Sequence, residues 1–187
     1  GQELVGVKMG DVVVILGAGP IGILHVKLAR FSGARRIIVS EPNALRREAA
    51  LREGADMVVD PAAEDLFARV REATGGPGAD VAICAIGVPS LANDAVRLVR
   101  CRGRVSLFAG FSKGVQAELD VNAIHYNELM VTGSFGLTRL QFERSLQLIA
   151  SGHLNLHSLL THRFGLAEIE RALQVAEQGS AIKVAIV

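Results

Sequence analysis

Residues 12–22 read Val12-Val13-Val14-Ile15-Leu16-Gly17-Ala18-Gly19-Pro20-Ile21-Gly22. The β-branched run predicts a buried strand, because such side chains favour the extended backbone. The strand ends in a glycine turn, and Pro20 stands at the first position of a predicted helix, where no N–H is needed. This stretch therefore predicts a strand, a tight turn and a helix.

The glycines of this turn fit the pattern G-x-G-x-x-G. In dinucleotide-binding proteins the three glycines permit, in turn, the tight bend at Gly17, the approach of a pyrophosphate at Gly19, and close helix-to-strand packing at Gly22. The helix N-terminus then faces the phosphates. A second β-branched run leads to Glu41, near the roughly 20-residue spacing at which an acid meets the adenosine ribose. The turn alone also fits an ordinary strand-to-helix connection, but the turn together with Glu41 predicts dinucleotide binding.

The composition favours one α/β domain over residues 1–187. Half of the residues are hydrophobic but only 4% are aromatic, so the core consists of Val, Ile, Leu and Ala. Such a core suits a parallel sheet covered by helices on both faces. The net charge of +1 gives no electrostatic case for nucleic acid or an acidic membrane surface. Without a transmembrane or signal-peptide pattern, we expect a cytoplasmic protein.

The cysteines and histidines give no metal-site pattern. Cys84 and Cys101 are neither closely paired nor flanked by histidines, so we expect both to be reduced and structural. The C-terminal histidines lack an acid or cysteine at ligand spacing, so we predict no metal there; they are His153, His157 and His162. His25, on the predicted buried helix, is more typical of a hydrogen-bonded core residue than of a ligand.

Strand and helix patterns alternate along the first part of the chain. The predicted strands are 12–16, 36–40, 57–59, 80–84 and 104–108, with a sixth at 129–134 after a connection at 109–127. The predicted helices begin at Pro20, after Asn43, near Glu64 and at Ser90 as a cap. This alternation predicts a doubly wound parallel Rossmann sheet of six strands with helices on both faces.

The C-terminal part continues with helices and a last strand. Thr138 and Gln141 form a predicted capping box, a further helix ends at Gly179, and residues 183–187 are a predicted strand. We predict no domain boundary inside the chain. Because it opens without methionine and stops inside an apparent strand, we expect a fragment of a longer protein.

Several segments together carry a family resemblance. They are Gly10-Asp11 with the glycine turn, Leu51-Arg52-Glu53-Gly54-Ala55-Asp56, Arg102-Gly103-Arg104-Val105 and Leu160-Thr161-His162-Arg163-Phe164. In these segments the chain resembles the cofactor domain of zinc-dependent medium-chain alcohol dehydrogenases, over essentially its whole length. Residues 122–129 and 132–136 are most similar to the sorbitol, sugar-alcohol and threonine dehydrogenase branch.

The resemblance implies hydride transfer from a secondary alcohol to NAD. In this family the zinc ligands and the proton relay lie in a preceding catalytic domain, so we expect zinc only there. No catalytic residue and no metal ligand is assigned to these 187 residues. We expect this part alone to be inactive.

The resemblance also implies the cofactor contacts. Glu41, where aspartate is usual, binds the adenosine ribose, Arg46 approaches the same ribose, and Ile86 covers the adenine. Backbone groups of Ala109 and of the segment 134–136 hold the nicotinamide side, and Lys183 approaches the pyrophosphate. The candidate set is Gly17, Gly19, Pro20, Ile21, Gly22, Glu41, Arg46, Ile86, Ala109, Ser134, Phe135, Gly136 and Lys183. Simpler interpretations exist for three of these: Arg46 as a solvated helix residue, Lys183 as an exposed strand residue and Ile86 as core.

Alternative functions differ in how they fit the residues. The zinc-free, NADPH-dependent quinone and enoyl reductases are disfavoured because Glu41 would repel a ribose 2′-phosphate. A short-chain dehydrogenase is disfavoured because Met130, not lysine, follows Tyr126 by four residues, and a P-loop is excluded because Ile23 follows Gly22. A non-catalytic nucleotide-sensing module stays open, since fold alone does not decide function.

The sixth predicted strand also indicates an assembly. At the edge of a 3-2-1-4-5-6 sheet, residues 129–134 carry neither charge nor proline to protect unpaired backbone groups. We predict pairing with a second copy, giving a homodimer or homotetramer, and the family resemblance points the same way. The alternative is an edge covered by the 109–127 connection.

Overall fold

The computed structural model describes all residues, Gly1–Val187. The chain divides into two compact units, Gly1–Gly136 and Leu137–Val187. None of its helices combines the length and the apolar character needed to cross a membrane.

The first unit is built on one six-stranded sheet. Its strands are β1 (Val12–Leu16), β2 (Arg36–Ser40), β3 (Met57–Val59), β4 (Ala79–Cys84), β5 (Val99–Leu107) and β6 (Met130–Gly133). Its helices are α1 (Gln2–Val5), α2 (Pro20–Phe31), α3 (Ala44–Arg52), α4 (Leu66–Thr74), α5 (Pro89–Leu98) and α6 (Val121–Tyr126). The strands are all parallel in the order β3-β2-β1-β4-β5-β6, which confirms the predicted doubly wound fold and places β6 at an edge.

The central strand β1 separates two hydrophobic clusters. All five of its residues are fully buried. Val12, Val14 and Leu16 pack in one cluster with residues of α4 and α5, whereas Val13 and Ile15 pack in the other with residues of α2 and α3. Burial on both faces explains why the sequence of β1 is uniformly apolar rather than alternating.

Two polar ties hold the amino ends of the strands. Asp80 accepts a hydrogen bond from the Val12 N–H at 2.7 Å and another from Nε of Arg100 at 2.7 Å. Burial acts to raise the pKa of Asp80, but these donors outweigh it and hold the pKa below its usual value. In the second tie, Nη2 of Arg104 lies 2.7 Å from Oδ2 of Asp11. The first contact joins β1, β4 and β5, and the second joins the residue before β1 to β5.

Local signals in the sequence differ in how well they match these elements. The Asn43 side chain accepts from the Arg46 N–H, and the Thr138–Gln141 capping box is present, so both predicted caps are confirmed. The predicted cap at Ser90 is wrong: α5 begins at Pro89, whose fixed φ suits the first helical position, and Val88 precedes it. His25 is buried within hydrogen-bonding distance of Gln2, which confirms it as a core residue.

Three elements of the first unit differ from expectation. The connection predicted at 109–127 contains α6, whose N-terminus is capped by Asp120. The strand predicted to begin at Arg104 begins at Val99, with a register irregularity opposite β4. The short helix α1 carries too few residues for a periodic signal.

The second unit contains α7 (Arg139–Ala150), β7 (Leu160–Phe164), α8 (Ile169–Glu177) and β8 (Lys183–Ile186). Short 3₁₀ turns lie at His157–Leu159 and Leu166–Glu168. The predicted last strand forms as β8 and pairs in parallel with β7 in a separate two-stranded sheet.

Candidate functional site

A cleft of about 640 Å³ lies at the carboxyl ends of β1, β2 and β4. It is lined, among others, by Gly17, Ser40, Glu41, Arg46 and Ile86. In the sheet, β1 lies between β2 and β4, so the strand order reverses direction next to β1. Ligands of open α/β sheets bind at such a switch point, outside the carboxyl ends of the strands. The cleft therefore has the position of a dinucleotide site and brings four predicted residues together.

The glycine turn is held by its neighbours. The Gly17 N–H donates to the Ser40 carbonyl at 2.8 Å, and the φ of Gly17 is +97°, a conformation that side chains rarely adopt. A Cβ at Gly17 would lie 3.2 Å from the side chain of Ile86. The backbone angle therefore favours glycine here, and a side chain would also crowd Ile86.

Gly22 and Gly19 are glycines for different reasons. A Cβ at Gly22 would lie 2.0 Å from the Gly17 carbonyl oxygen, so the turn and α2 touch only because this residue has no side chain. A Cβ at Gly19 would meet nothing within 4 Å, and its φ of −63° suits any residue. The packing of the protein itself therefore does not require glycine at Gly19, and the space beside it is open.

The helix that follows the turn points its N-terminus to this space. Gly19 is the N-cap of α2 and no side chain caps the helix, while Pro20 occupies the first turn. Ile21 is 42% exposed although it lies in an otherwise largely buried helix. The uncapped N–H groups and the helix dipole there suit an anionic group.

Glu41 is buried and fixed by the backbone. Its Oε2 accepts from the Ala18 N–H at 2.8 Å, and its Oε1 accepts from the Asn43 N–H at 3.0 Å. The side chain thus ties the glycine turn to the end of β2. Each carboxylate oxygen has a second lone pair, so the group can also accept from ribose hydroxyls in the cleft.

Two neighbouring arginines behave differently. Arg47 donates to the carbonyls of Glu41 and Pro42 and pairs with Asp60 at 3.0 Å, so it fastens the loop after β2. Arg46 lines the cleft, and its buried Nε has no hydrogen-bond partner. Buried donors normally have a hydrogen-bond partner, so this Nε can donate to a ligand acceptor in the cleft. Its burial disfavours the interpretation of Arg46 as a solvated residue.

The apolar part of the cleft was not predicted. It is formed by residues that precede or begin α4 and by residues around the start of α5, namely Pro61, Leu66, Phe67, Val88 and Leu91. With Ile86, these side chains offer an apolar surface next to Glu41, as a flat heterocycle requires. Nothing in the local sequence distinguishes them from core residues, and only the topology brings them to the cleft.

The remaining predicted residues lie elsewhere. Ala109 follows β5, and its N–H donates to the Cys84 carbonyl at 3.0 Å. Ser134, Phe135 and Gly136 follow β6 at the same edge of the sheet; Phe135 is fully exposed, and the buried Oγ of Ser134 has no partner. Lys183 is exposed on β8 in the second unit.

The cysteine nearest the cleft, Cys84, is buried. Burial, assisted by the charge of Asp94, raises the pKa of the Cys84 thiol to about 12. Its Sγ lies 3.3 Å from the Leu91 carbonyl oxygen. The structure brings together no group of three or more His, Cys, Asp or Glu side chains that could hold a metal. The cleft thus offers hydrogen-bonding, charged and apolar groups that can bind and orient a ligand.

Comparison with known proteins gives consistent matches. A family model described as "Zinc-binding dehydrogenase" matches residues 20–151. The chain is 37% identical to L-threonine 3-dehydrogenase of Pyrococcus abyssi over 97% of its own length and 52% of that protein. It is 33% identical to sorbitol dehydrogenase of Halalkalibacterium halodurans, over 95% and 52%.

A solved structure agrees with these sequence matches. A Sinorhizobium meliloti 1021 protein solved with NADP bound superimposes with a TM-score of 0.90 at 32% identity, over 99% of this chain and 54% of that one. The chain spans about half the length of the relatives that it matches.

Proposed function

Because the chain belongs to the zinc-binding dehydrogenase family, we propose that it is the NAD(H)-binding half of an enzyme that oxidises a secondary alcohol. The family membership confirms the resemblance found in the sequence. The relatives named threonine 3-dehydrogenase and sorbitol dehydrogenase support a sugar alcohol or a threonine-like compound as the substrate. The cytoplasmic location stays a prediction.

The observation that carries the proposal is the position of Glu41. Its carboxylate lies at the end of β2, lines the cleft and is fixed by two backbone N–H groups. A carboxylate held in this way can accept hydrogen bonds from the 2′- and 3′-hydroxyls of an adenosine ribose. It would meet a 2′-phosphate with like charge, which favours NAD over NADP.

The other residues suit the remaining parts of the dinucleotide. The open space at Gly19 and the uncapped start of α2 fit the pyrophosphate, and Ile86 with the apolar residues of the cleft fits the adenine. We assign the nicotinamide side to backbone groups of Ala109 and of residues 134–136. When bound, the nicotinamide supplies the hydride acceptor, and these residues orient it.

We place the zinc and the proton relay outside these residues. The chain offers no three-ligand group for a metal, and its relatives are about twice as long. The role of this half is thus to bind the cofactor and fix its orientation, not to activate the alcohol.

A second candidate is a preference for NADP(H). It is favoured by Arg46, whose Nε is unsatisfied in the cleft, because a guanidinium binds phosphate well. The S. meliloti protein with bound NADP supports the same alternative. Glu41 favours a free 2′-hydroxyl on the ribose, whereas Arg46 favours a 2′-phosphate.

Calorimetric titration of the chain with NADH and NADPH separates the two candidates. With NADPH, two hydrogen bonds to Glu41 are lost and a charge repulsion is added, which together cost roughly 2 to 4 kcal/mol. We therefore expect NADH to bind on the order of 30- to 1,000-fold more tightly than NADPH. Glu41→Gln, which keeps an acceptor for the Ala18 N–H but removes the charge, should narrow this gap. Equal or tighter binding of NADPH would overturn the NAD assignment, and a loss of NADPH binding in Arg46→Gln would then support the alternative.

We also propose that the chain assembles through β6. The strand is hydrogen-bonded to β5 alone, and its other edge carries no charged residue or proline. Pairing with a symmetry-related copy would satisfy the free edge, giving a homodimer or a tetramer built from dimers.

A further inference from the structure

A second pocket lies at the opposite ends of the strands. It has a volume of about 230 Å³ and is formed by the loop before β4, the start of β5 and the facing residues of α4 and α5. The glycine turn and Glu41 lie at the carboxyl ends of the strands, whereas this pocket lies at the amino ends of β4 and β5. The two sites share the side chain of Phe67 but no other lining residue.

The charged lining of this pocket is entirely basic. Arg71, Arg97 and Arg100 contribute to its walls, and no Asp or Glu does. The whole chain has 20 basic and 19 acidic residues, so a lack of carboxylates in the protein does not explain this. Asp80 pairs with Arg100 from outside the lining, so the charges of Arg71 and Arg97 are the ones without a counter-ion.

Two of the three guanidinium groups are held in place. Nε of Arg100 donates to Asp80 at 2.7 Å, and its Nη1 donates to the Cys101 carbonyl at 2.7 Å. The guanidinium of Arg97 lies over the ring of Phe67, 4.9 Å from its centroid. Neither Arg97 nor Arg71 pairs with a carboxylate, in contrast to Arg47 and Arg69 on the same unit. Their hydrogen-bonding capacity is thus available to a ligand.

From this arrangement we propose that the pocket binds a phosphate group. The planar guanidinium fork matches phosphate oxygens and binds them through paired, charge-assisted hydrogen bonds. Fixed guanidinium groups lose little freedom on binding, which favours a specific site over diffuse attraction. The volume of 230 Å³ also leaves room for a small organic group, so inorganic phosphate and a small phosphate monoester are both possible sources.

Backbone amide NMR of the ¹⁵N-labelled chain tests this site directly. We would titrate inorganic phosphate, glycerol 3-phosphate and, as a carboxylate control, acetate at constant low ionic strength. The amides of Gly76, Gly78 and Cys101 report on this pocket, whereas those of Gly19 and Ile21 report on the glycine turn. The test therefore gives its answer whether or not the cofactor cleft binds a dinucleotide.

We expect saturable shifts at Gly76, Gly78 and Cys101 with both phosphates and much weaker ones with acetate. Tighter binding of glycerol 3-phosphate would identify a monoester as the ligand, and equal binding would identify the phosphate group alone. Shifts confined to Gly19 and Ile21, or equal responses to acetate and phosphate, would overturn the proposal.

Matched variants separate the pocket from general surface charge. Arg71→Gln with Arg97→Gln should weaken phosphate binding at these amides by roughly tenfold or more. Arg52→Gln, the matched control for Arg71→Gln, removes one charge from a 67% exposed arginine of α3, outside the pocket lining, and it should leave binding unchanged. Because Arg71 is exposed, Arg71→Gln alone provides a variant that folds if the double variant does not. Equal weakening in Arg52→Gln would refute a specific site.

Discussion

The glycine turn gives the sharpest prediction, because two of its glycines should fail in different ways. In Gly22→Ala the new methyl group would lie 2.0 Å from the Gly17 carbonyl oxygen and 2.8 Å from its carbon. Gly17 cannot yield easily, since its N–H is bound to Ser40 and its φ is positive. We expect the free energy of unfolding to fall by about 1 to 3 kcal/mol, as for other overpacked sites, with loss of NADH binding.

Gly19→Ala is the matched control, because its methyl group meets nothing within 4 Å. The lower entropy of the unfolded chain and the poorer N-cap nearly offset each other, so stability should change by less than about 1 kcal/mol. NADH binding should nevertheless be lost, since the methyl group would occupy the place of the pyrophosphate.

Urea unfolding followed by circular dichroism measures stability, and the fluorescence of NADH measures binding. The chain has no tryptophan, so the NADH signal is read without tryptophan fluorescence. A Gly22→Ala variant as stable as the parent chain would show that the turn yields to the methyl group, contrary to this prediction. Normal NADH binding by Gly19→Ala would likewise contradict the prediction for that variant.

Further predictions concern acid stability, assembly and metal content. Because the pKa of Asp80 is lowered in the folded protein, its ionised carboxylate stabilises the fold above its unfolded pKa of about 3.9. This stabilisation is lost as the pH falls through the folded pKa, so the urea midpoint of Asp80→Asn should decline less on acidification than that of the parent chain. An equal decline in both proteins would contradict this. The chain should sediment as a dimer at tens of micromolar, and a monomeric parent chain would contradict this. Neighbouring residues of a strand direct their N–H groups to opposite sides, so one of Met130 and Val131 directs its N–H away from β5. Proline at that one of the two positions should give a folded monomer. After dialysis the chain should hold no stoichiometric zinc and should not reduce NAD with sorbitol or threonine; bound zinc would show that the histidines were misinterpreted.

The sequence predicted best where a residue is constrained by its own backbone. The β-branched run, the glycine turn and Pro20 allow few conformations, so the strand–turn–helix unit follows from local signals. The sheet order was predicted from the alternation of strands and helices and the usual order of doubly wound sheets. The helix start at Ser90 was wrong because the adjacent Pro89 competes for the same boundary and determines it. The helix α6 was missed because six residues are too few to give a periodic pattern, although Ala123 and Ile124 pack against the core.

The candidate site divides along similar lines. Glu41 could be found from its distance to the glycine turn, but its hydrogen bonds to Ala18 and Asn43 depend on the way the turn meets β2. The different states of Arg46 and Arg47 could not be predicted, since adjacent residues of a helix point in different directions. The basic pocket likewise depends on the packing of α4 against α5.

The NAD proposal depends on Glu41 holding the adenosine ribose in the cleft at the carboxyl ends of β1, β2 and β4. A crystal structure of this chain with NADH would show whether it does. We expect carboxylate oxygens of Glu41 within about 3 Å of the 2′- and 3′-hydroxyls, the pyrophosphate over Gly19 and the adenine against Ile86. A dinucleotide whose ribose lies away from Glu41, or a cleft that stays empty at saturating NADH, would contradict it.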